Sequence, residues 1–247
     1  MSTAIGLHDL TVAYDRRPAV HHVSGQFAAG SLTAIVGPNG AGKSTLIKAI
    51  AGTMKPAAGR VDRGALAPRH IGYLPQAAEI DRSFPLSIID TVAMGAWRTM
   101  GAFFGLGREQ SWQAQQALLA VGLGGFEQRS IGSLSAGQFQ RVLFARLLLQ
   151  DASVILLDEP FNAIDARTTH DLLALIGAWH GQGRTVIAVL HDIEQVRQHF
   201  PSTLLLAREA VAWGDTAGTL QPDNLRRAKN MAEHWSAAAH PCEQVRP

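Results

Sequence analysis

Nine consecutive residues of this 247-residue chain have the types and the spacing of a phosphate-binding loop. Gly37, Gly42, Lys43 and Ser44 fit the pattern GxxxxGK(S/T), and the loop follows an apolar run that ends at Val36. Glycines allow backbone N–H groups to face phosphate oxygens, the lysine adds a positive charge, and the serine hydroxyl can bind Mg²⁺. We therefore predict that the loop binds the phosphates of a nucleotide through Gly37, Pro38, Asn39, Gly40, Ala41, Gly42, Lys43, Ser44 and Thr45.

Two adjacent carboxylates provide a second chemical feature. Asp158 and Glu159 follow the apolar run Val154–Leu157, which is typical of a buried strand. A carboxylate at the carboxyl end of such a strand can hold Mg²⁺, directly or through water. The neighbouring glutamate can accept a proton from an attacking water molecule. Together with the phosphate loop, the pair predicts a nucleotide-hydrolysing site in which Asp158 binds the metal and Glu159 is the general base.

Composition excludes several other classes of protein. Hydrophobic residues make up 47% of the chain and charged residues only 17%, so a disordered or charge-rich protein is excluded. The formal net charge of +2 does not favour a nucleic-acid partner, and the single cysteine, Cys242, excludes a framework of disulfide bonds. The apolar runs are much shorter than the roughly 20 residues of a membrane-spanning helix, and the N-terminus has no secretory pattern. These features predict a cytoplasmic chain that reaches any membrane only through a partner.

Hydrophobic periodicity indicates the strands that must position these residues. Apolar and polar residues alternate between Ala4 and about Ala34, which indicates antiparallel strands. Farther along, short runs that are apolar throughout alternate with helical patterns, which favours a parallel sheet buried on both faces. These predicted buried strands are Leu32–Val36, Val154–Leu157 and Thr185–Leu190.

The pattern changes between about residues 86 and 150, where apolar residues recur at three- and four-residue spacing. We therefore expect an α/β fold: a P-loop NTPase core with an N-terminal antiparallel β subdomain and an α-helical subdomain inserted over about 86–150. The core would span 1–220, and 221–247 would form a C-terminal helix and tail. The predicted helices are Ser44–Ala51, Ser87–Ala96, Arg108–Val121, Gly137–Gln150 and Asp223–Trp235.

A third segment connects these features to a known family. Leu134-Ser-Ala-Gly-Gln138, followed by Phe-Gln-Arg-Val-Leu-Phe-Ala-Arg146, resembles the signature sequence of ABC ATPases, which lies just upstream of the Asp-Glu strand. The resemblance covers roughly residues 7–220. It implies the ABC ATPase fold, ATP and Mg²⁺ as ligands, and a homodimer with ATP at the interface. In such a dimer Ser135 and Gly137 cap the γ-phosphate held by the other chain, and Gln138 belongs to the same ATP-binding set.

The same resemblance implies roles for single residues. Tyr14 matches the aromatic residue that stacks on adenine, and Gln76, in Tyr-Leu-Pro-Gln, matches the Q-loop glutamine that senses Mg²⁺ and water. Asn162–Asp165 resembles the D-loop, and His191 matches the switch histidine that contacts the γ-phosphate. The implied catalytic residues are Glu159, His191, Lys43 and Gln76, and the implied Mg²⁺ ligands are Ser44, Gln76 and Asp158.

One residue departs from the family pattern. Ala136 stands in the signature where many relatives have glycine. A methyl group there restricts the turn and crowds the phosphate edge. Alanine is still small, so we expect altered activity at most rather than a dead site.

Three classes of P-loop protein remain to be separated. A single-chain kinase has no use for a signature that contacts phosphate in a second subunit. Repair ATPases typically carry a coiled coil or a zinc-binding insertion, whereas the stretch from Thr45 to Leu134 has neither sustained heptads nor a cysteine. Translation-type members usually join two such domains, and one phosphate loop is present. The motor of a transporter with a separate permease fits best, and a soluble non-transport ABC ATPase is the less favoured alternative.

The segment Leu74–Gly95 resembles the corresponding part of bacterial zinc and manganese uptake ATPases, as do Gln138–Arg146 and Phe161–Thr168. The chain is most similar to zinc-import ATPases of Gram-negative bacteria. This resemblance implies that it powers permease subunits that import a divalent metal ion, first of all zinc, with manganese or iron-chelate import as alternatives. An extracytoplasmic metal-binding protein would deliver the cargo, and the chain would lie peripherally at the cytoplasmic face of the bacterial inner membrane.

After Gln76 the chain enters the helical region with apolar residues that we expect to be exposed. A groove between the core and this region could receive a helix of the permease. We expect the loop Gln76–Phe84 and its flank to contact that partner. The expected exposed residues are Phe84, Ile88, Ile89, Met94 and Trp97.

Overall fold

The computed structural model describes residues 4–15, 17–97 and 107–237, and its strands form two sheets. The predicted tail 238–247 lies outside the described part of the chain. Among the described residues, none of the helices combines the length and the hydrophobicity needed to cross a bilayer. The strands in chain order are β1 (Ile5–Tyr14), β2 (Arg17–Phe27), β3 (Leu32–Val36), β4 (Ala58–Asp62), β5 (Ile71–Leu74), β6 (Val154–Asp158), β7 (Thr185–Val189), β8 (Ser202–Ala207) and β9 (Glu209–Asp215).

The smaller sheet is antiparallel, with the order β2-β1-β4. Its alternating pattern places Ile5, Leu7 and Val20 on the buried face, together with residues of the helix that follows the phosphate loop. The expected N-terminal β subdomain is thus confirmed. Its third strand, β4, was not predicted, because Ala58–Asp62 has no apolar alternation that would distinguish it from a loop.

The larger sheet has the order β5-β6-β7-β3-β8-β9, and only its edge pair β8–β9 is antiparallel. Every residue of β3, β6 and β7 is buried, as the continuous apolar runs predict. Because these strands are parallel, their carboxyl ends meet at one edge of the sheet. The phosphate loop follows β3, Asp158 ends β6, and His191 comes two residues after β7.

Helices cover both faces of this sheet and form the region between β5 and β6. α1 begins at Lys43, one residue earlier than predicted, and ends at the expected Gly52 cap. The helices are α1 (Lys43–Ala51), α2 (Ile88–Ala93), α3 (Arg108–Ala120), α4 (Ala136–Gln150), α5 (Ala166–Gly181), α6 (Ile193–His199), α7 (Thr216–Thr219) and α8 (Pro222–Ala237), with 3₁₀ turns at Pro68–His70, Ala77–Glu79, Met94–Ala96 and Ile131–Ser133.

The helices α2, α3 and α4 pack on one another through an apolar core that includes Val92, Leu118 and Val142. Of the apolar residues expected to be exposed in this region, Phe84, Met94 and Trp97 are exposed. The expectation was wrong for Ile88, which is fully buried, and Ile89 is half-buried. Ile88 begins α2 and belongs to the apolar core that α2, α3 and α4 share, so tertiary packing buries a side chain that the sequence places in an exposed-looking run.

Candidate nucleotide-hydrolysing site

The phosphate loop is held close to two neighbouring strands. A Cβ on Gly37 would lie 1.9 Å from the carbonyl oxygen of Leu206, and one on Gly42 would lie 2.1 Å from that of Ala19. Gly42 also has a φ of +88°, which favours glycine. As the residue before α1, Gly42 has no side chain to cap the first turn, so the N–H groups of that turn are available to an anion.

Lys43 is nearly buried at the start of α1, and its ammonium folds back onto the loop. Its Nζ donates hydrogen bonds of 2.9 Å to the carbonyl oxygens of Gly37 and Pro38. Burial lowers the pKa of Lys43, and the nearby carboxylates of Glu159 and Asp158 partly oppose that shift. The lysine is therefore a buried cation that an incoming phosphate can engage.

Oxygen atoms suited to a hard cation converge beside the loop. Ser44 Oγ donates to Asp158 Oδ1 (2.9 Å), and Gln76 Nε2 donates to Ser44 Oγ (3.2 Å). Asp158 is fully buried, and its Oδ2 has no hydrogen-bond partner among the described residues. Burial raises the pKa of Asp158 to about 6. A hydroxyl, a carboxylate with an unused oxygen and an amide form a donor set that fits Mg²⁺.

Glu159 and His191 are brought into direct contact at the same edge of the sheet. Glu159 has a φ of +50°, and its N–H donates to the carbonyl oxygen of Val189 (3.2 Å). His191 Nε2 lies 2.7 Å from Glu159 Oε1, and Asn162 Nδ2 donates to Glu159 Oε2 (3.4 Å). These three side chains line a cleft of about 490 Å³. The predicted base and the predicted switch histidine thus contact each other directly.

The segment Gln76–Glu79, which we call the Q-loop, is hydrogen-bonded to α1 through two side-chain pairs. Besides the Gln76–Ser44 contact, Glu79 Oε1 accepts a 2.6 Å hydrogen bond from Lys48 Nζ, one turn after Ser44 on α1. This bond is the main cause that raises the pKa of Lys48. Sequence reasoning missed the Lys48–Glu79 pair. Two spacings could have indicated it. Lys48 lies four residues after Ser44, on the same face of α1, and Glu79 lies three residues after Gln76, so a Gln76–Ser44 contact brings the other two residues near each other.

The signature segment lies on a different element from the phosphate loop. Ser135 caps α4, accepting from the N–H of Gln138, while Gln138 Oε1 accepts from the N–H of Ser135. Ser135 and the neighbouring Ala136 are exposed, and the methyl group of Ala136 leaves the reciprocal cap intact. Gly137 faces Asp165, the residue that caps α5. The side chains of Ser135 and Gln138 are therefore hydrogen-bonded to the main chain of each other's residue.

Tyr14 ends β1, and its side chain is 51% exposed. It lines a cleft of about 510 Å³ together with Gly40 of the phosphate loop and Pro18 of β2. Arg208, which sequence reasoning did not single out, lines the same cleft. An exposed aromatic ring beside the phosphate loop is suited to stack on a nucleobase.

The sequence profile of the ABC transporter family matches residues 20–162. The chain belongs to the ABC transporter family. It is an ATP-binding cassette of that family and an ATPase, as the resemblance implied. As a member of that family, the chain binds nucleotide.

Relatives with curated names are similar over almost the whole chain. The zinc transport system ATP-binding protein TroB of Treponema pallidum is 38% identical, over 91% of this chain and 86% of the relative. The manganese transport system ATP-binding protein MntB of Listeria monocytogenes is 37% identical, over 90% of this chain and 94% of the relative.

Solved structures share the fold. The ATP-binding cassette MJ0796, in a dimeric post-hydrolysis state bound to ADP and Pi, superposes with a TM-score of 0.77 at 27% identity. The match covers 86% of this chain and 98% of that one. The predicted fold class is confirmed.

Asp158→Asn tests the buried carboxylate in the absence of nucleotide. Above pH 6 the folded protein carries a buried charge with an unused oxygen, so we expect the neutral variant to unfold at a higher temperature than the wild type at pH 8, by about 2–6 °C. Wild-type stability should fall as pH rises from about 4 to about 6, because the folded carboxyl holds its proton over a range in which the unfolded one has lost it. The advantage of the variant should therefore shrink at pH 4.

Thermal unfolding followed by circular dichroism measures both effects. Asp223→Asn, at an exposed carboxylate of α8, is the matched control and should show little change. Addition of ATP and Mg²⁺ should stabilise the wild type but not Asp158→Asn. An equal shift at pH 4 and pH 8 would contradict the role assigned to the buried charge.

Proposed function

We propose that this chain hydrolyses ATP to power a separate membrane permease that imports a divalent metal ion, and that the ion is zinc. The observation that carries the hydrolytic part is the meeting of Ser44, Asp158, Glu159 and His191 at one edge of the sheet. The metal part is supported by the relatives, which are named for zinc and manganese transport. Zinc is preferred because the chain as a whole resembles the zinc-import ATPases of Gram-negative bacteria. Manganese is the second candidate.

The triphosphate of ATP would lie on the N–H groups of the phosphate loop at the start of α1. Lys43 Nζ would then exchange the carbonyl oxygens of Gly37 and Pro38 for oxygens of the β- and γ-phosphates. Ser44, Gln76 and Asp158 would hold Mg²⁺, which neutralises developing charge on the phosphates. Tyr14 would stack on the adenine ring.

Glu159 would accept the proton of the water molecule that attacks the γ-phosphorus atom. The Glu159 carboxylate contacts His191 and Asn162, and these contacts hold it at the site. When the γ-phosphate is bound, the exposed imidazole of His191 would contact a phosphate oxygen and leave one carboxylate oxygen to the water. The protein thus supplies position, a base and a hydrogen-bond donor.

A second copy would complete the site. Ser135 and Gly137 lie at the start of α4, on a different element from the phosphate loop of their own chain. The positive end of this helix is suited to a γ-phosphate held by another chain. The dimeric state of MJ0796 with ADP and Pi supports such an arrangement. We therefore propose a homodimer with two ATP molecules at its interface.

Glu159→Gln tests the dimer. The variant keeps the shape of the side chain but removes the base, so ATP should bind without being hydrolysed and should hold two chains together. Size-exclusion chromatography with ATP should show a dimer for Glu159→Gln and a monomer for the double variant Lys43→Ala, Glu159→Gln, in which phosphate binding is weakened. A Glu159→Gln protein that binds ATP yet elutes as a monomer would contradict the proposal.

The permease is proposed to dock near the junction of the core and the helical region. A cleft of about 230 Å³ there is lined by Tyr73, Met94 and Arg146. The Tyr73 hydroxyl is buried and has no partner among the described residues, and the Arg146 guanidinium donates a long bond to the Tyr73 carbonyl oxygen (3.3 Å). A permease helix in this cleft could satisfy both groups, and the exposed Phe84 of the Gln76–Phe84 loop would be a further contact. Such docking would hold the chain at the cytoplasmic face of the bacterial inner membrane, with a metal-binding protein on the opposite side.

Phe84→Ser tests this docking surface. Phe84 is 60% exposed, so the change removes apolar area without opening a cavity in the core. We expect the tagged variant to copurify at least about threefold less permease than the wild type, since a large aromatic anchor can be worth over 1 kcal/mol at an interface. Trp112→Ser, at a 56% exposed position of α3, is the control. Equal recovery with both variants would exclude the Gln76–Phe84 loop as the contact.

The cargo is tested by growth of a strain that lacks the gene in chelator-treated medium. We expect the strain to need more added zinc than the wild type, while manganese or iron alone does not restore growth. A plasmid copy should restore the wild-type requirement, and a Glu159→Gln copy should not. Restoration by manganese alone would replace zinc by manganese, and an unchanged requirement for every metal would contradict metal import.

A further inference from the structure

Arg208 connects the phosphate loop with strand β2. It occupies the turn between β8 and β9 with a φ of +63°, which is unusual for a residue with a side chain. Its N–H donates to the carbonyl oxygen of Ala41 in the phosphate loop (2.9 Å), and its own carbonyl oxygen accepts from the N–H of His21 (2.8 Å). The main chain of this turn is therefore hydrogen-bonded to the phosphate loop and to β2, the two elements that contribute Gly40 and Pro18 to the Tyr14 cleft.

The side chain of Arg208 reaches across the same cleft. Its Nη1 donates to the carbonyl oxygen of Pro18 (2.9 Å), and its guanidinium is one wall of the cleft, with Tyr14 and Gly40 as others. The guanidinium carbon of Arg208 lies over the ring of Trp235, 5.2 Å from its centroid. Such a cation–π contact restrains a long side chain that would otherwise sample many rotamers.

Trp235 belongs to α8, which lies outside the part of the chain matched by the family. Its ring also packs edge-on against the imidazole of His21, with centroids 5.5 Å apart. His21 Nδ1 in turn lies 3.0 Å from Glu209 Oε1, in the residue that follows Arg208. The indole ring of Trp235 thus contacts His21 of β2 and Arg208 of the turn between β8 and β9.

We propose that Trp235 is a positioning residue for nucleotide binding: through Arg208 the C-terminal helix shapes the part of the cleft that takes the base and ribose of ATP. The triphosphate binds at the other end, at Lys43 and Ser44, which Trp235 does not contact. Loss of the ring should therefore weaken the binding of a nucleoside phosphate and leave the binding of a bare polyphosphate unchanged. This inference rests on the proposed placement of the adenine base beside Tyr14 and not on the identity of the cargo.

The alternative is that α8 only covers the edge of the sheet, since it packs on β8 and β9. If α8 only covers the sheet, removal of the Trp235 ring should lower the stability of the fold. The affinities for ADP and for tripolyphosphate should then fall equally or stay unchanged. The comparison of ADP with inorganic tripolyphosphate separates the two roles, because only ADP occupies the cleft beside Tyr14. ADP also avoids turnover during the titration.

The experiment uses the full chain and isothermal titration of ADP and of tripolyphosphate. For Trp235→Ala we expect the Kd of ADP to rise about three- to tenfold, the range of a partly exposed cation–π contact, with the Kd of tripolyphosphate within about twofold of the wild type. Trp235→Phe, which keeps an aromatic face, should recover most of the ADP affinity. Trp112→Ala on α3 is the matched control and should bind both ligands as the wild type does.

Arg208→Lys gives an independent test if Trp235→Ala does not fold, as judged by circular dichroism. Lysine keeps the charge but lacks the planar group that stacks on the indole. The variant should therefore also bind ADP more weakly and bind tripolyphosphate as the wild type does. Unchanged ADP affinity in the folded variants would overturn the proposal. An equal loss for ADP and tripolyphosphate would also overturn it, because the effect would then not be confined to the base side of the cleft.

Discussion

The close approach of the phosphate loop to strands β2 and β8 is the constraint on which the rest of the site depends. The carbonyl oxygens of Ala19 and Leu206 occupy the space that side chains on Gly42 and Gly37 would need. This packing fixes the loop against the sheet and directs the first turn of α1 outward without a side-chain cap. The position of Lys43 and Ser44 follows, since both lie in that turn.

Around this loop the protein buries charges that are only partly satisfied. Lys43 bonds to carbonyl oxygens, Asp158 uses one of its two carboxylate oxygens, and Glu159 bonds to His191 and Asn162. Buried groups of this kind cost stability, and ligands that complete their contacts return it. The site is therefore a place where nucleotide and metal should stabilise the fold as well as react.

The described contacts also connect parts of the chain that the proposed function requires to move together. Lys48 and Glu79 join α1 to the Q-loop, and Arg141 of α4 donates to Thr168 and Asp171 of α5. The first link runs from the phosphate loop toward the proposed permease surface. The second runs from the signature helix to the helix that follows the D-loop. Through these two links, nucleotide binding at the phosphate loop could change the position of the segments proposed to contact a partner.

Elements whose signals are local could be predicted from the sequence. The phosphate loop and the buried strands depend on residue types within a few positions, and the predicted strands and helices differ from the observed ones by only a few residues. The meeting of the phosphate loop, Asp158 and His191 followed from parallel strands ending at one edge. The carboxylate–histidine contact could be located only in the structure.

Contacts between segments distant in sequence depended on the packing of the folded chain. Ile88 is buried in the core that α2, α3 and α4 share, and the strand Ala58–Asp62 exists because β1 offers it a pairing edge. Lys48 meets Glu79 across 31 residues, and Arg208 meets Pro18 across 190. Local sequence encodes backbone preference and hydrophobic period, but not which distant side chains become neighbours. That choice is made by the packing of the whole core.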